Sequence, residues 1–152
     1  MGARMKMMTR NSMLVFHALL TAALGLVAVP ASAELVVVVS SRNPAPAMST
    51  DQVAAIFLGQ AVRFPNGVPA IAVDQGIGTP QRDSFYLQVT GRTPALLRAY
   101  WSKMVFTGRG QPPREVQGDA AVRRLVAANP SMIGYINRNA LDESVRPVTT
   151  LP

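Results

Sequence analysis

Apolar residues recur along this chain in two rhythms. Leu35 to Val39 is an unbroken apolar run, valine after its first residue, and predicts a short strand buried on both faces, as in a parallel sheet. Ser40-Ser41-Arg42-Asn43-Pro44 forms the loop at its end. Ser49 with Gln52 three residues on is a capping box, and the helix it opens carries Val53, Ile56 and Phe57 on one face before Gly59 stops it. Arg63 to Pro69 is rich in turn residues around Asn66-Gly67. Ala70 to Val73 predicts a second strand, which the chain leaves at Asp74, and Gln75 to Gly78 is a turn.

Thr79-Pro80 and Thr93-Pro94 are two N-caps followed by proline at the first helical position. The first opens a helix bearing Phe85, Leu87 and Val89 and ending at Gly91. The second opens a helix whose Leu96, Leu97, Tyr100, Trp101, Met104 and Val105 make a wide apolar stripe, expected to face the core. Gly108 to Pro113 is a loop. Asp119 is expected to cap a helix with Val122, Leu125 and Val126 inward and Arg123 and Arg124 outward, closed by Asn129-Pro130. Ile133-Gly134-Tyr135-Ile136 predicts a third strand, followed by a short polar turn or helix. Val145 to Thr149 predicts a last strand, placed at an edge by Pro147. Strands alternating with helices predict an α/β sandwich.

The first 33 residues read differently. Arg4, Lys6 and Arg10 precede Met13 to Val29, apolar except at His17, Thr21 and Gly25; Pro30 ends the run and Ala31-Ser32-Ala33 follows. Charge, apolar run and small residues in that order are a secretion signal, with cleavage expected after Ala33 and export to the periplasm. A retained anchor is the alternative, with a span at the short end of what a bilayer needs. Cleavage leaves residues 34–152 as one domain, and the loss of three cations lowers the formal charge from +7 to +4. That modest excess favours anionic partners. The arginines are scattered, so nucleic acid is not expected as a partner, and the membrane enters only through the signal before cleavage.

Candidate chemistry is narrowed by what the domain lacks. There is no cysteine, and the single histidine, His17, lies in the signal. No disulfide, thiolate or imidazole chemistry is open to the domain, no metal or cofactor is expected, and no motif joins a nucleophile to a base. An enzyme is not expected. Asp74-Gln75-Gly76-Ile77-Gly78-Thr79-Pro80-Gln81-Arg82 stands where a strand gives way to a helix. Ligands of open α/β sheets bind at such strand ends. A helix start offers free N–H groups and partial positive charge, glycines let an anion approach the backbone, and a guanidinium one turn in suits an oxyanion. Gln75, Gly76, Gly78, Thr79 and Arg82, with Ser41 from the loop after the first strand, form the candidate ligand-binding set. An ordinary capped turn, its Thr79 hydroxyl spent on the cap, is the plainer reading of the same residues.

The order of these pieces resembles the second lobe of the phosphate-binding proteins that serve ABC transporters. Val36 to Val39, Asn43-Pro44, Met48-Ser49, Gln52 and Ile56-Phe57-Leu58-Gly59 match that family's first strand and helix. Ile77-Gly78-Thr79 with Arg82 and Phe85 matches its Ser-Gly-Thr turn. Pro130 and Ile133-Gly134-Tyr135-Ile136 match its closing strand. The resemblance runs from Leu35 to about Val148. It implies a single three-layer lobe of the type II periplasmic-binding-protein fold, with a mixed, mostly parallel sheet flanked by helices, and a ligand such as inorganic phosphate. The chain departs from the family at Ile77, which replaces the phosphate-contacting serine, at Val73, which stands where the family has arginine, and in lacking a first lobe. An accessory or interaction domain that kept the fold without the ligand, with an envelope protein or a second copy as partner, is the alternative.

Overall fold

The computed structural model describes residues 33–152. The expected secretion signal lies outside the described residues except for Ala33. Residues 33–152 belong to one compact unit. Among the described residues no helix is long and apolar enough to cross a membrane.

The strands are β1 (Leu35–Ser40), β2 (Ile71–Gln75), β3 (Arg114–Val116), β4 (Met132–Asn137) and β5 (Val145–Leu151). The helices are α1 (Thr50–Phe57), α2 (Pro80–Thr90), α3 (Pro94–Phe106) and α4 (Asp119–Ala128), with a short 3-10 turn at Arg138–Ala140. The strands form one sheet in the order β3-β2-β4-β1-β5. β2 pairs parallel with β3 and β4, while β1 pairs antiparallel with β4 and β5. Four strands therefore run one way and only β1 opposes them.

β1 is buried along its whole length. Its alternate side chains supply both faces of the sheet. Leu35, Val37 and Val39 join Phe57, Phe85, Tyr86 and Tyr135 on the side of α1 and α2. Val36 and Val38 join Val73, Val122, Val126 and Ile136 on the side of α4. The result is the three-layer α/β lobe with a mixed, mostly parallel sheet that the sequence implies. Burial on both faces holds as expected for β1, but it comes from a central antiparallel position. β5 lies at the edge, as Pro147 required, with a bulge opposite Val37 and Val38.

Gly134 explains how closely α4 packs. A Cβ there would lie 2.5 Å from Val122 Cγ1 and 3.2 Å from Val126 Cγ2, well inside van der Waals contact. The Ile-Gly-Tyr pattern thus fits both faces at once, glycine under α4 and tyrosine under α2.

Several local signals act as the sequence predicts. Ser49 and Gln52 form the reciprocal capping box of α1. Thr79 and Thr93 cap α2 and α3 ahead of proline, and Gly91 ends α2 at φ 67°. Four expectations are corrected. Asp119 does not cap α4: Gly118 holds that position without a side-chain bond, and Asp119 is the first helical residue. β2 extends through Asp74 and Gln75 because β3 pairs with them, and three residues of Arg-Glu-Val give no pattern by which to foresee that strand. Leu87 points outward from α2. The stripe on α3 is mostly not core: Leu97 and Trp101 are buried, Tyr100 and Met104 half-buried, and Leu96 and Val105 exposed. α3 leans on α2 rather than on the sheet, so it has only one narrow packing face.

Candidate functional site

The turn between β2 and α2 is built by the last residues of β2. Their alternation sends Val73 toward α4, Asp74 toward α2 and Gln75 back toward the start of α4. Asp74 is 1% exposed. Its Oδ2 accepts from Arg82 Nε at 2.9 Å and from Tyr86 Oη at 2.9 Å. Its Oδ1 accepts from Tyr135 Oη at 2.6 Å and from the Gln75 amide at 2.8 Å. One buried carboxylate therefore ties the end of β2 to α2 and β4. A buried charge is tolerated when it is paired and fully hydrogen-bonded, as here.

Arg82 is 7% exposed and stacks over the Tyr86 ring at 4.9 Å. Burial disfavours its charge, but the field of Asp74 and the hydrogen bond to it outweigh that, and its pKa stands above the ordinary arginine value. Only Nε is used by Asp74; among the described residues the two terminal nitrogens make no hydrogen bond. Tyr86 and Tyr135 are held protonated well above the ordinary tyrosine range, by burial first and by the Asp74 charge and hydrogen bond next.

A second carboxylate closes the other side. Asp119 Oδ1 accepts from Gln75 Nε2 at 3.0 Å and Gln81 Nε2 at 2.7 Å, and its Oδ2 accepts from Asn137 Nδ2 at 2.9 Å. Gln75 also donates to the Tyr135 carbonyl at 3.2 Å. Gln75 is thus a buried tie between strand and helix.

The turn itself is largely self-satisfied. The Thr79 hydroxyl donates to the Gly76 carbonyl at 2.8 Å and accepts from the Arg82 amide at 3.3 Å, which is the plainer reading of that residue. A Cβ on Gly76 would meet Gln117 Oε1 at 2.6 Å, whereas Gly78, at φ 82°, faces open space. The backbone amide of Ile77, at the exposed tip of the turn, donates to Glu115 Oε1 at 2.7 Å. The protein's own carboxylate occupies that donor.

Gln75, Gly76, Gly78, Thr79 and Arg82 thus come together at one end of the sheet. Ser41 does not join them. β1 runs against β4, so Ser41 lies beyond Ser40 at the opposite end, its amide bonded to the Ser144 carbonyl. The loop after an antiparallel strand cannot share a strand-end cleft with the loop after β2. The sequence reading placed Asp74 at the head of this stretch but left it out of the ligand-binding set, and it missed Tyr86, Tyr135, Asp119 and Glu115 as members of this region. A polar Asp-Gln pair ending an apolar strand was the one available signal.

Beside the turn lies an open groove of about 560 Å³ between the start of α2 and one face of α3. Ile77, Gly78 and Arg82 form one side, and Leu97, Arg98 and Trp101 the other.

No protein-family model and no curated protein matches the chain. Solved structures do. A protein described as a phosphate ABC transporter substrate-binding protein from Clostridium perfringens, solved with bound phosphate, superposes with a TM-score of 0.60 at 23% identity, over 77% of this chain and 45% of that one. An ABC-type phosphate transport receptor from Vibrio cholerae gives 0.59 at 20% identity, over 76% and 46%. PstS from Borrelia burgdorferi gives 0.54 at 14% identity, over 75% and 46%. The chain spans less than half the length of these proteins. It has the fold of a substrate-binding protein's α/β lobe, as the motif resemblance implied.

Proposed function

We propose that this chain is a periplasmic solute-binding-like protein, exported by its N-terminal signal, that takes phosphate or a related oxyanion at the β2–α2 turn. The observation that supports this most is Arg82. Asp74 and Tyr86 hold its guanidinium in place through Nε and the ring, leaving the terminal nitrogens unbonded beside Gly78. A preoriented planar fork is what an oxyanion needs. The fold shared with phosphate transport proteins supports the same reading.

The second reading is an envelope accessory domain without a ligand, working through a protein partner or a second copy. Glu115 favours it, because its carboxylate already sits on the Ile77 amide. One experiment separates the two. Residues 34–152, which hold their own core, are titrated calorimetrically with phosphate at low salt, alongside Glu115→Ala and Arg82→Lys. Binding predicts saturable heat, tighter in Glu115→Ala, where a competing carboxylate is gone. Arg82→Lys can still pair with Asp74 but lacks the fork, and should lose most of the affinity. A folded domain that gives no heat, with Glu115→Ala equally silent at millimolar phosphate, leaves the accessory-domain reading.

A further inference from the structure

The groove beside the turn is made for more than a bare inorganic ion. Pro94, Leu97, Arg98, Trp101, Ser102 and Val105 recur at i, i+3, i+4, i+7, i+8 and i+11, so they share one face of α3, and all line the groove. The turn supplies Ile77, Gly78 and Arg82 from the other side. Leu97 and Trp101 form a buried floor, while Ile77 and Val105 are apolar rims left 66% and 46% exposed. Covering them with an apolar body recovers surface that water now wets.

The polar groups in the groove are few. Arg82 and Arg98 bring two guanidiniums, and Asp83 is the one carboxylate in the lining. The charge of Arg82 is already met by Asp74, while Arg98 is an exposed guanidinium in the lining with no salt-bridge partner among the described residues. The indole N–H of Trp101 is buried and has no acceptor. Buried donors are nearly always satisfied, so this one stands out among the residues that line the groove. A bare phosphate is strongly hydrated and needs many donors together; this groove offers few donors and much apolar wall.

We infer that the groove binds an organic oxyanion: a small molecule with one carboxylate or phosphate-ester head on Arg82 and Arg98 and a compact apolar body against Leu97, Trp101 and Val105. This rests on the oxyanion reading of the turn and names the ligand class for it.

Trp101 is the only tryptophan of the chain, so its emission reports on the groove directly. Residues 34–152 are titrated with cyclohexyl phosphate, cyclohexanecarboxylate, cyclohexanol and inorganic phosphate, followed by Trp101 fluorescence and by calorimetry. The expected result is a saturable emission change with one or both cyclohexyl anions, at least tenfold tighter than inorganic phosphate, with the two anions together identifying the preferred head. Arg98→Gln, at an exposed position, should weaken the cyclohexyl anions at least fivefold. Cyclohexanol binding as tightly as the anions would overturn the anionic head. Inorganic phosphate giving heat while the cyclohexyl anions gain nothing over it would overturn this inference and leave the proposed function standing. Silence from every anion in a folded sample would remove both.

Discussion

The two faces of the sheet solve the same packing problem with different chemistry. Under α4 the contact is almost wholly aliphatic: Val36, Val38, Val73, Val122, Val126 and Ile136 meet across Gly134. Under α1 and α2 it is aromatic. Phe85 stacks on Tyr135 at 3.7 Å, Phe57 meets Phe85 edge-on at 4.7 Å, and the tyrosine hydroxyls converge on a buried carboxylate. Aliphatic packing is non-directional and holds a helix at a distance. A hydrogen-bonded ionic cluster is directional and holds particular atoms in particular places. The candidate site belongs to the second face because Arg82 is oriented there.

The largest test of that difference removes the centre of the cluster. Asp74→Ala leaves Arg82 buried without its counter-charge and two tyrosine hydroxyls without their acceptor. Breaking a buried pair in this way costs about 3–5 kcal/mol, so denaturant melts of Asp74→Ala should show a loss in that range. A loss under about 1 kcal/mol would mean the cluster contributes orientation and almost no stability.

Alkaline pH should act on the same face alone. Tyr86 and Tyr135 keep their protons in the fold well above the ordinary tyrosine value of about 10. Above that pH the unfolded tyrosines ionise while the folded ones do not, so the unfolded state binds fewer protons and stability falls. The contribution is whole below about pH 10 and declines above it, by up to about 2.7 kcal/mol per pH unit for the two groups together. Tyr86→Phe and Tyr135→Phe should each flatten the decline. An unchanged slope in both variants would contradict the assignment.

On the aliphatic face the effect is steric. Gly134→Ala drives a methyl into Val122 and should cost about 1–3 kcal/mol by overpacking. Val122→Ala opens that space, so the double variant should be more stable than the sum of the two losses predicts. Strict additivity would show that α4 does not pack on Gly134 as closely as the structure has it. The smallest effect lies at the edge of the aromatic face, where Ser49→Ala removes one half of the capping box of α1. A loss of about 1 kcal/mol is expected, with phosphate titrations unchanged, since the Ser49 side chain bonds only within the capping box, to Gln52.

What could be read beforehand follows this division between local and distant. The capping box of α1 and the Thr-Pro starts of α2 and α3 involve partners three residues apart, so the sequence alone contains both halves of each interaction. The valine run of β1 announces burial on both faces because its composition leaves no polar side. Its direction was not legible, since a run of valines reads the same beside a parallel or an antiparallel neighbour. That direction is what separates Ser41 from the turn.

The amino-acid sequence by itself therefore determined every helix and every strand but β3, the caps of α1, α2 and α3, the edge position of β5 and the glycine-bearing turn as a candidate site. Tertiary structure decided what that turn has left to offer. Arg82 is held by Asp74 across the strand–helix junction, Ile77 is held by Glu115 from 38 residues away, and α3 lies out on α2 with Leu96 and Val105 of its apolar stripe in water. Each of these depends on which strands become neighbours and in which direction they run. That choice is made by global burial and pairing, and no local pattern encodes it.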